Sequence, residues 1–227
     1  MIINPYRFAA ECNSRYYDGS SYVNFGSDAS LDNLTTTTFA FWILADDTTP
    51  ANKQWIMGPR DEISGIGNMF LDLEEGGAIR LAQSISGDDG IWTSNSSLNT
   101  TPTWQHVCVT YDNTSNANNP IMYIDGIDVG VTENNAPIGG PYDSSSSDFF
   151  VGKRALQDDR YYTGLLADMR VYNDILTSTE VSNLASGTDV TDHLVAKWVG
   201  GDLEDSVGVN NGTNFGTTCN ADAGWKD

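Results

Sequence analysis

Residues 103–126 read TWQHVCVTYDNTSNANNPIMYIDG, and the fold is decided there. In the first run, Val107, Val109 and Tyr111 fall on one side, and Trp104, His106, Cys108 and Thr110 on the other. That period of two is the mark of a strand. The second run ends in Asp125-Gly126 and resumes as Ile127-Asp128-Val129. Asp-Gly between β-branched residues predicts a type I′ hairpin turn, because both central positions then need positive φ. The centre of the chain is therefore an antiparallel meander.

Working outward, Thr37–Ala45 (TTFAFWILA) is apolar on both faces and predicts a strand covered on both sides. Gln54–Gly58, Met69–Leu73 and Ala78–Ser84 read as further strands, with Glu75-Gly76-Gly77 as the turn between the last two. The segment 46–53 is a polar loop. Gly87–Thr103 reads as a loop-rich excursion around Ile91-Trp92, and Asn134–Ser147 as an exposed loop. Downstream, Tyr162–Tyr172 alternates, with Leu165, Ala167, Met169 and Val171 on one face and Leu166, Asp168, Arg170 and Tyr172 on the other. A helix follows near 177–186. Thr177 and Glu180 form a capping box, Val181, Leu184 and Ala185 make an i, i+3, i+4 stripe, and Gly187 is placed to stop it.

A Trp-x-x-Val strand ending in Thr110-Tyr111-Asp112, a short polar excursion and then Tyr123-Ile124-Asp125-Gly126 resembles the laminin G-like branch of the concanavalin A-like lectin/glucanase superfamily. Residues 15–47 are similar to that family's opening Phe-Asp-Gly strand and its following strand with a core Trp. Residues 149–187 resemble its closing strand and short helix. Tyr17 stands where the family has Phe, and Ala167-Asp168-Met169-Arg170 is a loose version of its Ile-Asp-Asp/Glu-Val-Arg. The resemblance spans 14–187 and implies an all-β, antiparallel two-sheet jelly-roll sandwich with one short helix. An arm at 1–13 precedes it. Residues 188–227 either complete the sheet or form an arm that meets a neighbour.

A chain of 227 residues is long enough for one such domain with a real core. Its net charge of −20, with only 11 Lys and Arg, excludes nucleic acid as a partner, since phosphate binding needs clustered cations. Either the acidic surface suits a salty medium or some of its Asp residues hold metal. Of the three cysteines, Cys108 lies inside a strand as a small hydrophobe, while Cys12 and Cys219 leave a bridge open. Sequons at Asn33, Asn95, Asn99, Asn113 and Asn211 are expected by chance in so Asn- and Thr-rich a chain. MIINPYRFAAECNSRYY is not read as a signal peptide, and no window reads as a membrane span.

Retaining glycosidases need two carboxylates about 5 Å apart. The family's hydrolases carry them as Glu-x-Asp-x-x-Glu, which is absent here. Asp72 and Glu74 come nearest, and a solvated strand face accounts for them. Two histidines far apart in sequence offer no triad or zinc site; the resemblance gives His106 a structural role. No enzyme is expected. The resemblance does imply a structural calcium ion shared by Asp18 of the opening Asp-Gly turn and Asp168 of the closing strand. The plainer reading has Asp18 capping a turn and Asp168 paired with Arg15 or Arg170. For glycans, which favour an exposed aromatic platform with a few polar groups, the candidates are Trp92 and the cluster Asp158-Asp159-Arg160-Tyr161-Tyr162. Tyr162, which begins the alternating strand, also suits the core.

The expected function is a non-catalytic module at a virion surface or in the extracellular space. It would decorate or attach an assembly through 1–13 and 188–227 and bind surface glycans. The alternative is an adhesion or carbohydrate-binding module accessory to a secreted enzyme; a glycoside hydrolase is the third reading.

Overall fold

The meander at 103–126 forms one edge of the first of two stacked sheets, running inward to the strand Thr36–Ala45. In the computed structural model, the described residues are 12–60, 68–85, 87–139, 143–145, 147–154, 159–200, 203–221 and 224. Except for residues 12 and 13, the arm at 1–13 lies outside them. Strands in chain order are β1 (Ser14–Asp18), β2 (Tyr22–Asn24), β3 (Thr36–Ala45), β4 (Gln54–Arg60), β5 (Asn68–Leu73) and β6 (Ala78–Ser84). They continue as β7 (Gly87–Asp88), β8 (Gly90–Ser97), β9 (Gln105–Asp112), β10 (Ile121–Ile124), β11 (Ile127–Asp128) and β12 (Val131–Asn135). Then come β13 (Ile138–Gly139), β14 (Asp148–Val151), β15 (Thr163–Tyr172), helix α1 (Ser178–Ala185), β16 (Leu194–Trp198), β17 (Thr213–Phe215) and β18 (Thr218–Asn220). The first sheet runs β11-β10-β9-β3-β15-β1-β18, with β16 also on β15; the second runs β12-β8-β6-β5-β4-β14-β2-β17. Every strand ladder among the described residues is antiparallel, so this is the expected two-sheet sandwich.

Side-chain periodicity explains the layers. Val107, Val109 and Tyr111 of β9 and Phe39, Phe41 and Ile43 of β3 point between the sheets, where they meet Leu71, Leu81, Trp92 and Phe149 from the second sheet. The other faces of β9 and β3 are also covered. Cys108 and Ala40 pack with Tyr123, Tyr172, Val181 and Leu184 under α1, a second apolar cluster outside the sandwich. The helix begins at the Thr177 cap, whose side chain accepts from the Glu180 N–H while the Glu180 carboxylate accepts from the Thr177 N–H. Asp125 (φ 52°) and Gly126 (φ 77°) close the β10–β11 hairpin in the left-handed conformation that a type I′ turn requires.

Three sequence expectations change. First, the alternation in β15 is broken. Its register on β3 jumps between Ala167 and Arg170, and Asp168 takes a positive φ of 43° there. Two residues thus oppose one, a β-bulge, and the phase flips: Leu166 faces the core before it, Met169 and Val171 after it. Second, Gly87–Thr103 is not loop-rich, because Gly90–Ser97 is strand β8 between β6 and β12. Third, part of 134–147 is paired: β12 runs to Asn135, and Ile138–Gly139 pairs with β7.

The segment after the helix is woven into both sheets. β16 lies on β15, β18 on β1 and β17 on β2. Trp198 of β16 is fully buried and packs tilted against Phe25 with ring centroids 4.1 Å apart, its indole N–H donating to the Asn210 carbonyl at 2.7 Å. Cys12 and Cys219 form a disulfide with their Cα atoms 5.3 Å apart.

Candidate functional site

The outward face of the second sheet carries the site. On β4, β5 and β6, residues that alternate with the core face away from it. Trp55 and Phe70 stack at 4.1 Å, and Arg60 and Arg80 lie over their rings at 5.9 and 5.6 Å. Beside them is Asp72, wholly buried. It is not on a solvated face, because two arginines close over it: Arg80 bonds its carboxylate, and Arg160 Nη1 donates to the same oxygen at 3.1 Å. Burial pushes the Asp72 carboxyl above its ordinary pKa, while the two guanidiniums pull the other way. The chain of charges continues from Arg80 Nε to Glu74 Oε1 at 3.0 Å, and from Glu74 to Lys53 Nζ at 2.7 Å.

The two outer members of that chain, Arg160 and Lys53, both line two adjoining clefts. The first, of about 310 Å³, is also lined by Gly19, Asp47, Asn52, Gln54 and Tyr161. The second, of about 470 Å³, adds Glu75 and Asp159. Arg160 is held by its backbone, since its carbonyl accepts the Trp55 N–H at 2.7 Å and its φ is 54°. A non-glycine residue in that conformation is strained, and such strain collects at binding sites. Gln54 Oε1 accepts the Thr163 N–H at 3.3 Å, which leaves the Gln54 amide N–H groups to donate elsewhere. Asp159 is clamped by Arg154 through two bonds of 2.8 and 2.6 Å. Tyr161 borders an aromatic row: Lys153 Nζ lies 5.5 Å from its ring and 4.7 Å from that of Tyr22, which stacks at 4.4 Å on Phe215.

Of the glycan candidates, Asp159, Arg160 and Tyr161 are thus brought together in the clefts. Asp158 lies outside the described residues, and Tyr162 is buried in the core. Trp92 is a correction: it is fully buried on β8, its N–H donating to Asn119 Oδ1 at 2.7 Å, and it offers no surface platform. The shared calcium site is a second correction. Asp18 pairs in register with Thr163, which places it five residues along β15 from Asp168, on the order of 15 Å away at strand spacing. Asp18 accepts from the Ser20 N–H and hydroxyl at 2.9 Å each, and Asp168 holds Arg170 through bonds of 3.0 and 2.7 Å. The two carboxylates do not fit one ion, and their plainer roles hold. Asn52, Lys53 and Gln54 had no motif to mark them; the one local signal was Lys53, a rare cation in this chain.

A jelly-roll sandwich with an open polar cleft at one sheet is the architecture of a lectin-like domain. The chain belongs to the laminin G family of the concanavalin A-like lectin/glucanases superfamily, whose model matches residues 17–182. No curated protein matches it in sequence. Among solved structures it is similar to a candidate carbohydrate-binding protein from Bacteroides ovatus (TM-score 0.65, 18% identity, 92% of this chain and 60% of that one). It is also similar to a heptameric SAP-like pentraxin from Limulus polyphemus (TM-score 0.62, 17% identity, 90% of this chain and 93% of that one). A third is the CBM40 of a Ruminococcus gnavus IT-sialidase, bound to α2,3-sialyllactose (TM-score 0.54, 12% identity, 77% of this chain and 99% of that one). This chain therefore spans less than two thirds of the Bacteroides protein's length, and at such identities the likeness is one of fold. No described helix is long and apolar enough to cross a membrane.

Proposed function

We propose that the chain is a non-catalytic carbohydrate-binding module, working outside the cell or on the surface of a larger assembly. The observation that carries this is the first cleft. It sets an aromatic ring, Tyr161, beside the amides of Asn52 and Gln54 and the cations Lys53 and Arg160. Few polar groups converging beside an aromatic is the usual chemistry of a sugar site. The Cys12–Cys219 disulfide supports an oxidising location. Titration calorimetry against a panel of oligosaccharides tests the reading. At least one should bind, Tyr161→Ala should weaken it about tenfold with the melting temperature unchanged, and no sugar should be cleaved. Hydrolysis of any panel member would overturn the non-catalytic half; silence across the panel would overturn the rest.

The assembly role, as virion decoration or attachment, draws support from the segment 188–227, where Val207 and Val209 are 49% and 74% exposed. Apolar side chains there suit contact with another protein subunit. Val209→Asp should abolish that contact in a co-sedimentation assay while leaving sugar binding intact.

A further inference from the structure

We propose that the cleft selects anionic saccharides, with the carboxylate or sulfate of the sugar held by Arg160. This rests on the glycan-binding reading above and narrows it to a ligand class. Three observations carry it. First, the buried network alternates as Arg160, Asp72, Arg80, Glu74, Lys53: three cations to two anions, with a cation at each end. Both end members line the clefts, so the uncompensated positive charge is presented where a ligand enters. Second, Arg160 has most of its fork to spare. Its side-chain bond among the described residues is the one from Nη1 to Asp72, whereas a guanidinium carries five N–H donors. A fully buried carboxylate anchors one end and orients the rest, so little side-chain freedom is lost when a second anion docks. Third, six of the 11 Lys and Arg residues, namely Lys53, Arg60, Arg80, Lys153, Arg154 and Arg160, gather on this one face and its edge loops, in a protein of net charge −20.

Three acids share the clefts. Asp159 is clamped by Arg154, Asp47 Oδ1 accepts the Thr49 N–H at 2.8 Å, and Glu75 lines only the second cleft. The Gln54 and Asn52 amides and the Tyr161 ring are left to meet the sugar's hydroxyls and its apolar face. The strongly negative surface elsewhere repels polyanions, which confines an acidic sugar to this patch.

The test is calorimetry of the full chain against trigalacturonate, its methyl ester, which is nearly the same size but uncharged, and a sulfated neutral trisaccharide. Trigalacturonate or the sulfated sugar should bind at least tenfold tighter than the ester, and raising the salt from 20 to 500 mM should erase most of that advantage. Arg160→Gln should weaken the acidic sugar at least tenfold more than it weakens the ester, so that the preference for acid over ester is lost. Because Arg160→Gln also takes a partner from buried Asp72, Lys53→Gln and the salt series stand as second measurements. Binding of the sulfated sugar alone would identify sulfate as the anion and support the proposal. Equal binding of acid and ester would overturn the selectivity but leave a glycan-binding module. Failure of all three probes, with no neutral sugar of the wider panel bound, would overturn both.

Discussion

His106 is buried on the outer face of β9, its ring edge-on to Trp42 at 5.3 Å and its Nδ1 without a hydrogen-bond partner among the described residues. Burial, with help from the nearby Arg170 cation, pushes its pKa down to about 3. The unfolded chain takes up that proton near the ordinary value of about 6.5, so the folded state loses ground as pH falls from 6.5 toward 3. Linkage puts the loss at about 3 kcal/mol by pH 4. His106→Gln should flatten the fall of melting temperature between pH 6.5 and 4, and an unchanged slope would remove this residue from the acid response. Asp205 acts in a related way. Burial pushes its carboxyl up, but the N–H groups of Lys197 and Val207 at 3.0 Å and the Asn210 amide at 2.8 Å outweigh that and hold it below the ordinary value. Its contribution is present above the unfolded pKa near 4 and is lost as pH drops further. Asp205→Ala at pH 7 should cost about 1–3 kcal/mol in denaturant unfolding, since several buried N–H groups lose their acceptor. The residue scale was the hardest to read in advance. Asp72 and Trp92 stand in polar or glycine-bounded strings that say surface; pairing across β5–β6 brings Arg80 to Asp72, and the distant Arg160 and Asn119 complete the burial of each.

At the scale of elements, local chemistry spoke clearly wherever it was self-contained. The capping box needs nothing beyond Thr177 and Glu180, and the hairpin turn nothing beyond Asp125 and Gly126, so both were legible. Thr177→Ala should lower stability by about 1 kcal/mol, read as a small drop in melting temperature without loss of strand signal. The bulge at Asp168 was illegible, because alternation of apolar residues continues through 165–172 on either phase: both faces of β15 are covered. With Asp168 gripped by Arg170 rather than by an ion shared with Asp18, addition of a chelator should leave an Asp168→Asn variant and the parent with the same melting difference as in its absence. Strand β8 was hidden for another reason. Its outer face carries Thr93 and Asn95 and its end is Ser-rich, so its pairing with β6 and β12 decides its state where propensity does not.

On the scale of the whole molecule, order and spacing of strands revealed the sandwich, while the cleft stayed hidden. It is assembled from 52–54, 159–161 and 72–80, which meet only because β4 pairs with β5 and because the turn before β15 is bonded to the start of β4. The last forty residues are integral for the same kind of reason. A chain stopped at residue 187 loses Trp198 from the core and the partners of β15, β1 and β2; removing a buried Trp alone costs about 3–5 kcal/mol, against a typical total of about 5–15. Such a chain should show no cooperative melt, and a sharp transition near the parent temperature would refute the integral role. Reducing the Cys12–Cys219 bond releases the entropic restraint on a loop of 207 residues, worth on the order of 5 kcal/mol at most, so reductant should lower the melting temperature by several degrees.

That same bond gives the domain a mechanical property. A pulling force applied at residues 12 and 219 passes through sulfur and not through the sheets, so everything between them stays slack however hard the ends are drawn. In an optical trap with handles at those positions, no unfolding step should appear until reductant is added, after which most of the chain's contour length should be released. A tether joined to the domain at these points would transmit load past the Arg160–Lys53 cleft without distorting it.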